Sequence, residues 1–224
     1  MNIFDSRAIS PLDRFAQCFP VRAQYRYGFH PMTSGGGNPA SSPFTINVRE
    51  TRDRKRESKQ HNIIVKTDCG QLKAEPAVLD IEVNDLVSWS ACDTSTPVFS
   101  VSGYSETHSF SSAMMSTGAI YAHAFGTNGV YEWGDANGQP LSGSVKVIMP
   151  PMSTPREIEA YRERLSKAVV VVIREGKAKP SEVEIVVNGV VYFVVEQGDG
   201  FTVTDRRLVA GTTLPPSLVP SGQC

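Results

Sequence analysis

Residues 116–135 read Ser116-Thr117-Gly118-Ala119-Ile120-Tyr121-Ala122-His123-Ala124-Phe125-Gly126-Thr127-Asn128-Gly129-Val130-Tyr131-Glu132-Trp133-Gly134-Asp135. Ile120, Ala122 and Ala124 alternate with Tyr121, His123 and Phe125, the period of a strand with two different faces. Asn128-Gly129 marks a tight turn, after which Val130 and Glu132 alternate with Tyr131 and Trp133. A second turn cluster, 135–140, leads to Ser144-Val145-Lys146-Val147-Ile148, a closing strand. Strand, turn, strand, turn, strand at the end of a β-rich segment predicts a β-sandwich, with Trp89 and Trp133 as core supports.

Upstream, the same pattern begins at about residue 61. Ile63 and Val65 precede a Cys69-Gly70 turn, Val78, Leu79, Ile81 and Val83 form a strand that ends at Asn84-Asp85, and Leu86, Val87 and Trp89 form the next. Val98, Phe99 and Val101 follow, up to Gly103. Short strands punctuated by Gly, Pro, Asn and Asp indicate an antiparallel sandwich or barrel.

Taken in order, these segments resemble the cupredoxins. Asp80-Ile81-Glu82-Val83-Asn84-Asp85-Leu86-Val87-Ser88-Trp89-Ser90 is similar to that family's "G/N-D-x-V-x-W/F" strand pair, and Pro97 to Val101 falls at its first copper-bearing loop and strand. Gly118 to Phe125 resembles the strand before the last hairpin, Gly129 to Asp135 the "G-x-Y-x-F/Y-x-C" signature, and Gly143 to Val147 the closing "G-x-V-x-V" strand. The resemblance covers about residues 61–149 and implies a cupredoxin-like Greek-key β-sandwich. It also implies where copper ligands would stand. Thr96-Pro97-Val98 occupies the first histidine's place, Asp135 the thiolate's, Gly138 the second histidine's, and Pro140-Leu141-Ser142 the axial methionine region. A trigonal blue-copper site needs a thiolate and two imidazoles, so the resemblance implies a copper-free domain with no cofactor. The alternative is a copper-binding or redox protein with a non-standard site drawn from Cys92, His108, Met114, Met115 and His123, all soft or borderline ligands.

The flanking segments divide by composition. Residues 1–31 interleave Phe4, Phe15, Phe19, Tyr25, Tyr27 and Phe29 with Arg7, Arg14, Arg22 and Arg26. Such interleaving can bind single-stranded nucleic acid, but no RNA-binding motif accompanies it, and an N-terminal arm packed through its aromatics is the simpler expectation. Residues 32–60 read as a flexible linker, rich in Gly, Ser and Pro and then in basic residues. Arg52, Arg54, Lys55 and Arg56 are candidate polyanion contacts, a third reading weakened by Glu50, Asp53 and Glu57 among them.

After Met149-Pro150-Pro151 the period changes. Thr154-Pro155-Arg156-Glu157 is a capping box with proline at the first helical position. Ile158, Tyr161, Leu165, Val169 and Val172 follow at helical spacing, although the β-branched run from Val169 to Ile173 also suits a strand. Val183 to Val187, Asn188-Gly189 and Val190 to Val195 predict a β-hairpin. Both its faces are apolar, and one helix covers only one of them. The expected extension over 150–210 is therefore a helix plus β-hairpin that docks on something else through Val186, Val190, Tyr192 and Val194. The proline-rich residues 211–224 read as a disordered tail.

The chain has 224 residues, a net charge of −1 and four cysteines. Near-neutral charge argues against a surface tuned throughout for nucleic acid. Scattered cysteines without a CxxC pair fit neither a disulfide scaffold nor a zinc site, and no stretch approaches the apolar length of a membrane helix. Ser105-Glu106-Thr107-His108-Ser109 gathers catalytic residue types, but adjacency in sequence does not make a triad; no G-x-S-x-G elbow or H-E-x-x-H helix accompanies it. The sequence thus predicts a mainly β, non-enzymatic protein-interaction or scaffold module. Its expected partner is another protein or a second copy, and its expected location is intracellular, cytoplasmic in preference to nuclear.

Overall fold

The computed structural model describes residues 3–32, 43–51 and 56–209. Its first half contains β1 (Asp13–Cys18), β2 (Ala23–Pro31), β3 (Phe44–Arg49), β4 (Gln60–Asp68) and β5 (Gln71–Glu75). β6 (Val78–Glu82), β7 (Leu86–Ala91), β8 (Phe99–Tyr104) and β9 (Ser109–Ser111) complete it. The second half contains β10 (Ala119–Ala124), β11 (Gly129–Gly134), β12 (Ser142–Ile148), the helix α1 (Pro155–Ser166), β13 (Val169–Arg174) and β14 (Lys177–Lys179). β15 (Glu182–Val186), β16 (Val190–Gln197), β17 (Thr204–Asp205) and a single helical turn, α2 (Arg206–Val209), end it.

One long sheet joins the halves in the order β14-β13-β16-β10-β1-β7-β4-β5. Each half adds its own second sheet, β6-β3-β2-β8-β9 in the first and β15-β12-β11-β17 in the second. The pairing rules repeat. β4 runs parallel to β7 as β13 does to β16, and β3 runs parallel to β6 as β12 does to β15. β1 pairs with β7 as β10 pairs with β16. The registers repeat too: Phe15 faces Trp89 as Tyr121 faces Phe193, and Tyr25 faces Ile46 as Tyr131 faces Val145. The chain is two copies of one β unit, joined edge to edge where β1 meets β10 with Phe15 opposite Tyr121. Asn84 and Asn188, both with φ near +70°, occupy the same turn of the two units.

Burial follows strand alternation. In β2, Tyr25, Tyr27 and Phe29 point into the core while Gln24, Arg26 and His30 point out. That separates the aromatic and arginine interleaving of residues 1–31 into a core face and a solvent face. The segment is not an arm: β1 and β2 are central strands, and Phe4 is buried against His123 and Phe125. Within the expected linker 32–60, Phe44–Arg49 forms β3. Residues 61–149 do not close one sandwich by themselves. β4 to β9 pair with β1 to β3, whereas β10 to β12 pair with β13 to β17, apart from the β1–β10 seam. No helix among the described residues is long and apolar enough to cross a membrane.

The C-terminal segment departs further from expectation. The capping box forms, with Thr154 Oγ1 accepting from Glu157 N–H and Glu157 Oε2 accepting from Thr154 N–H. The helix stops at Ser166, however, and Val169 begins a strand, as β-branched residues favour. No helix residue is fully buried; α1 leans on β15 through half-buried Tyr161 and Leu165, with the Tyr161 hydroxyl donating to the Val187 carbonyl. The expected hairpin at Asn188-Gly189 does not form either. β15 lies in the small sheet and β16 in the long one, and the chain crosses between layers at this turn. Asn188 alone takes a positive φ there, whereas a type I′ hairpin turn needs two such residues. Glycine at 189 answers a different demand: a Cβ there would lie 2.8 Å from the Val186 carbonyl oxygen. Both faces of this stretch are apolar because its two strands belong to opposite walls of a sandwich.

Gly143 is a second close approach. A Cβ at this position would overlap the Ser181 carbonyl oxygen and lie 2.6 Å from the Trp133 ring. Gly143→Ala is expected to lower stability by about 1–3 kcal/mol. Urea denaturation followed at Trp133 checks it, and an unchanged midpoint would contradict the packing of β11 on β12.

Candidate functional site

The expected docking residues separate on the structure. Val186 is buried and unavailable to a partner. Val190, Tyr192 and Val194 remain together on the outer face of β16, in the middle of the second half of the long sheet. Cross-strand register sets Val170 of β13 beside Tyr192 and Val172 beside Val194, with Ala122 and Ile120 of β10 on the other side. Tyr192 is 37% exposed and Val170 41%. The first half supplies an internal control. At the positions equivalent to Val170, Tyr192 and Val194 it carries Asn62, Ser88 and Ser90, because Asn62 faces Ser88 as Val170 faces Tyr192. Ile64 stands at the place of Val172, but at the other three positions the same backbone is served by polar residues in one copy, so apolar side chains there in the other copy are not a requirement of the fold.

The rim of this patch is cationic. Arg14 lies beside Ala122, and Lys179 lies beside Val172. Arg174 pairs with Glu196 at 2.8 Å, while Arg14, Lys177 and Lys179 form no ion pair among the described residues. Lysines at both ends of the short edge strand β14 also discourage strand addition there.

Of the polyanion candidates, Arg52, Arg54 and Lys55 lie outside the described residues. Arg56 is committed elsewhere: its Nη1 and Nη2 donate to the two oxygens of Asp85 at 2.9 and 3.0 Å. Asp85 is wholly buried and also accepts from the backbone N–H of Lys59 and Glu82, and its Oδ2 lies 2.9 Å from His61 Nε2. Burial alone would raise this carboxyl's pKa. The Arg56 guanidinium, the two backbone donors and His61 outweigh burial and hold it well below the usual carboxylate range.

The copper alternative does not gather its residues. Met115 and His123 are sealed in the core, Cys92 is exposed after β7, and only His108 and Met114 line the same cleft. Among the described residues no group of His, Cys, Asp and Glu is arranged to hold a metal ion. His123 is instead part of a buried network. Asp13 Oδ1 accepts from the Tyr121 hydroxyl at 2.5 Å and lies 2.6 Å from His123 Nδ1, while Oδ2 accepts from Ser10 N–H at 2.8 Å. Burial first, and the Asp13 charge second, push the Tyr121 phenol well above its ordinary pKa, so it stays a donor. The network has the residue types of an acid–base relay but no path to solvent, since all three side chains are buried. Its position across the β1–β10 seam makes it a tie between the halves.

These features define a mainly β protein of two joined β-sandwich units with one outward apolar sheet face. No protein-family model matches the chain, and no curated protein or solved structure matches it either.

Proposed function

We propose that the chain is a non-catalytic interaction module, built on copper-free cupredoxin-like units, that docks a protein partner on the apolar outer face of β10, β16 and β13. The carrying observation is the contrast between equivalent positions, Asn62, Ser88 and Ser90 against Val170, Tyr192 and Val194. A contiguous apolar patch on a solvent-facing sheet marks an interaction surface. The rim selects the occupant. Arg14, Lys177 and Lys179 favour a partner whose apolar surface is edged by carboxylates, and they oppose a second copy, which brings the same cations.

The test uses the full chain and two synthetic amphipathic helices, each with a leucine face, one edged by glutamates and one by lysines. The glutamate-edged helix is expected to bind. The triple variant Val170→Asn, Tyr192→Ser, Val194→Ser, which copies the first half, is expected to weaken that binding by about tenfold or more, the scale of a lost apolar anchor. Equal binding of both helices, or no loss in the triple variant, would sink the proposal. A wild-type dimer that the triple variant dissociates would replace the acidic partner with a second copy.

A further inference from the structure

We propose a second site, around the β8–β9 hairpin, for a phosphate-bearing ligand of the nucleoside monophosphate class. The hairpin between β8 and β9 projects its tip, Ser105 to His108, between two clefts. One cleft, of about 730 Å³, has Phe19, Tyr25 and Phe110 in its floor and Met114 on its wall. The other, of about 650 Å³, is lined by Arg22, Arg26, Gln24 and Glu106. Tyr104 and Thr107 line both. Each cleft lies within the size range of small-molecule sites.

The chemistry of the linings sorts into three parts of one ligand. The side chains of Arg22 and Arg26 form no ion pair or hydrogen bond with a described residue, so two guanidinium groups stand ready for a phosphate. Their neighbours are already engaged: Gln24 donates to Asn47, Asn47 to Asp80, and Arg49 to Asp80. Glu106, the one carboxylate of the smaller cleft, and Asp199, that of the larger, suit the hydroxyls of a sugar. Tyr104, 54% exposed, and Met114, 60% exposed, border the aromatic-floored cleft and suit a planar ring. The tip itself is braced, with Ser105 N–H donating to the His108 carbonyl at 2.7 Å and His108 N–H to Ser105 Oγ at 3.1 Å. Thr107 Oγ1 bonds His108 Nδ1 at 2.7 Å, which leaves Nε2 open to the ligand.

The second half again serves as a control. Arg26 faces Tyr104 across β2 and β8, and one step along, Tyr27 faces Gly103 as Trp133 faces Asp205. The equivalents of Arg26 and Tyr104 are therefore Glu132 and Arg206, which pair with each other at 3.7 Å. One copy neutralises this position with an ion pair. The other leaves a free guanidinium beside an exposed phenol, and nothing in the shared backbone calls for that.

Titration calorimetry of the full chain with adenosine monophosphate, adenosine, inorganic phosphate and a short single-stranded oligonucleotide tests the site. The monophosphate is expected to bind, with phosphate alone and adenosine alone each weaker by about tenfold or more, because each forfeits one half of the contacts. Arg26→Glu with Tyr104→Arg, which installs the second half's ion pair, is expected to cut the affinity by about tenfold or more while leaving thermal unfolding unchanged. An oligonucleotide that binds far more tightly than the monophosphate would make a strand terminus the source of the same chemistry; equal affinity would make it a free nucleotide. Failure of the monophosphate to bind folded wild type, or unchanged binding in the double variant, would overturn the proposal.

Discussion

Asp85→Ala is expected to destabilise the fold by about 3–5 kcal/mol, the range for removing one member of a buried, hydrogen-bonded charge pair. The variant leaves Arg56, whose side chain is only 18% exposed, without its bidentate partner. It also leaves the N–H groups of Lys59 and Glu82 without an acceptor. Glu82 ends β6 and Lys59 leads into β4, which runs beside β7, so the loss falls where the first half crosses between its layers at Asp85. Asp80→Ala is the control. Asp80 also pairs with an arginine, Arg49, but both are exposed, and such a pair contributes about 1 kcal/mol or less. Urea midpoints of the two variants check the difference; similar shifts would mean that Asp85 is not carrying the crossing.

The same residue sets an acid limit. Its folded pKa is depressed below its unfolded value, so its contribution is fully present above about pH 4, the unfolded carboxylate pKa. It is lost progressively as pH falls from there through the folded value. Wild-type stability should therefore decline on acidification more steeply than that of Asp85→Asn, which has no carboxylate to protonate. Parallel acid profiles of the two proteins would assign the decline to other carboxylates.

Between residues 119 and 148 strand positions were legible in the sequence and strand partners were not, while β1, β2 and β3 read as arm and linker. Alternation in 119–124, 129–134 and 142–148 places β10, β11 and β12 to within a few residues, because the period of two is local. Pairing is not local. β1 inserts between β7 and β10, and no pattern in 61–149 announces a strand arriving from residue 13. The Asn188-Gly189 signal misled for a related reason: the dipeptide reports the turn's backbone, not whether the flanking strands share a sheet. The duplication itself is faint in the residues. Asn84 and Asn188, Ile81 and Ile185, and Val87 and Val191 recur at one spacing, but Phe193 stands in the place of Trp89 and Tyr192 in that of Ser88. The docking face was half visible. Val190, Tyr192 and Val194 stood out as apolar, whereas Val186, in the same run, is buried because β15 belongs to the other wall. The clefts beside Arg22 and Arg26 needed register, since only pairing reveals that Arg26 stands against Tyr104 and that Asp80 is already engaged.

Asp13→Ala is the second large effect expected, about 4 kcal/mol, from stranding buried polar partners. Tyr121 would keep a buried hydroxyl with no acceptor, and His123, whose Nε2 has no hydrogen-bond partner among the described residues, would lose its Nδ1 contact as well. The loss falls on the seam, so it should reveal how far each half stands on its own. The chain provides its own reporters, with Trp89 buried in the first half and Trp133 in the second. The duplication also supplies mild replacements, Trp89→Phe from Phe193 and Trp133→Tyr from Tyr27. In these single-tryptophan backgrounds the wild-type seam should give coincident unfolding transitions, the mark of one cooperative unit. With Asp13→Ala both midpoints should fall and then separate, the Trp133 signal moving first because Tyr121 and His123 belong to that half's core. Midpoints that fall together without separating would show that the β1–β10 backbone ladder, and not the buried aspartate, couples the two copies.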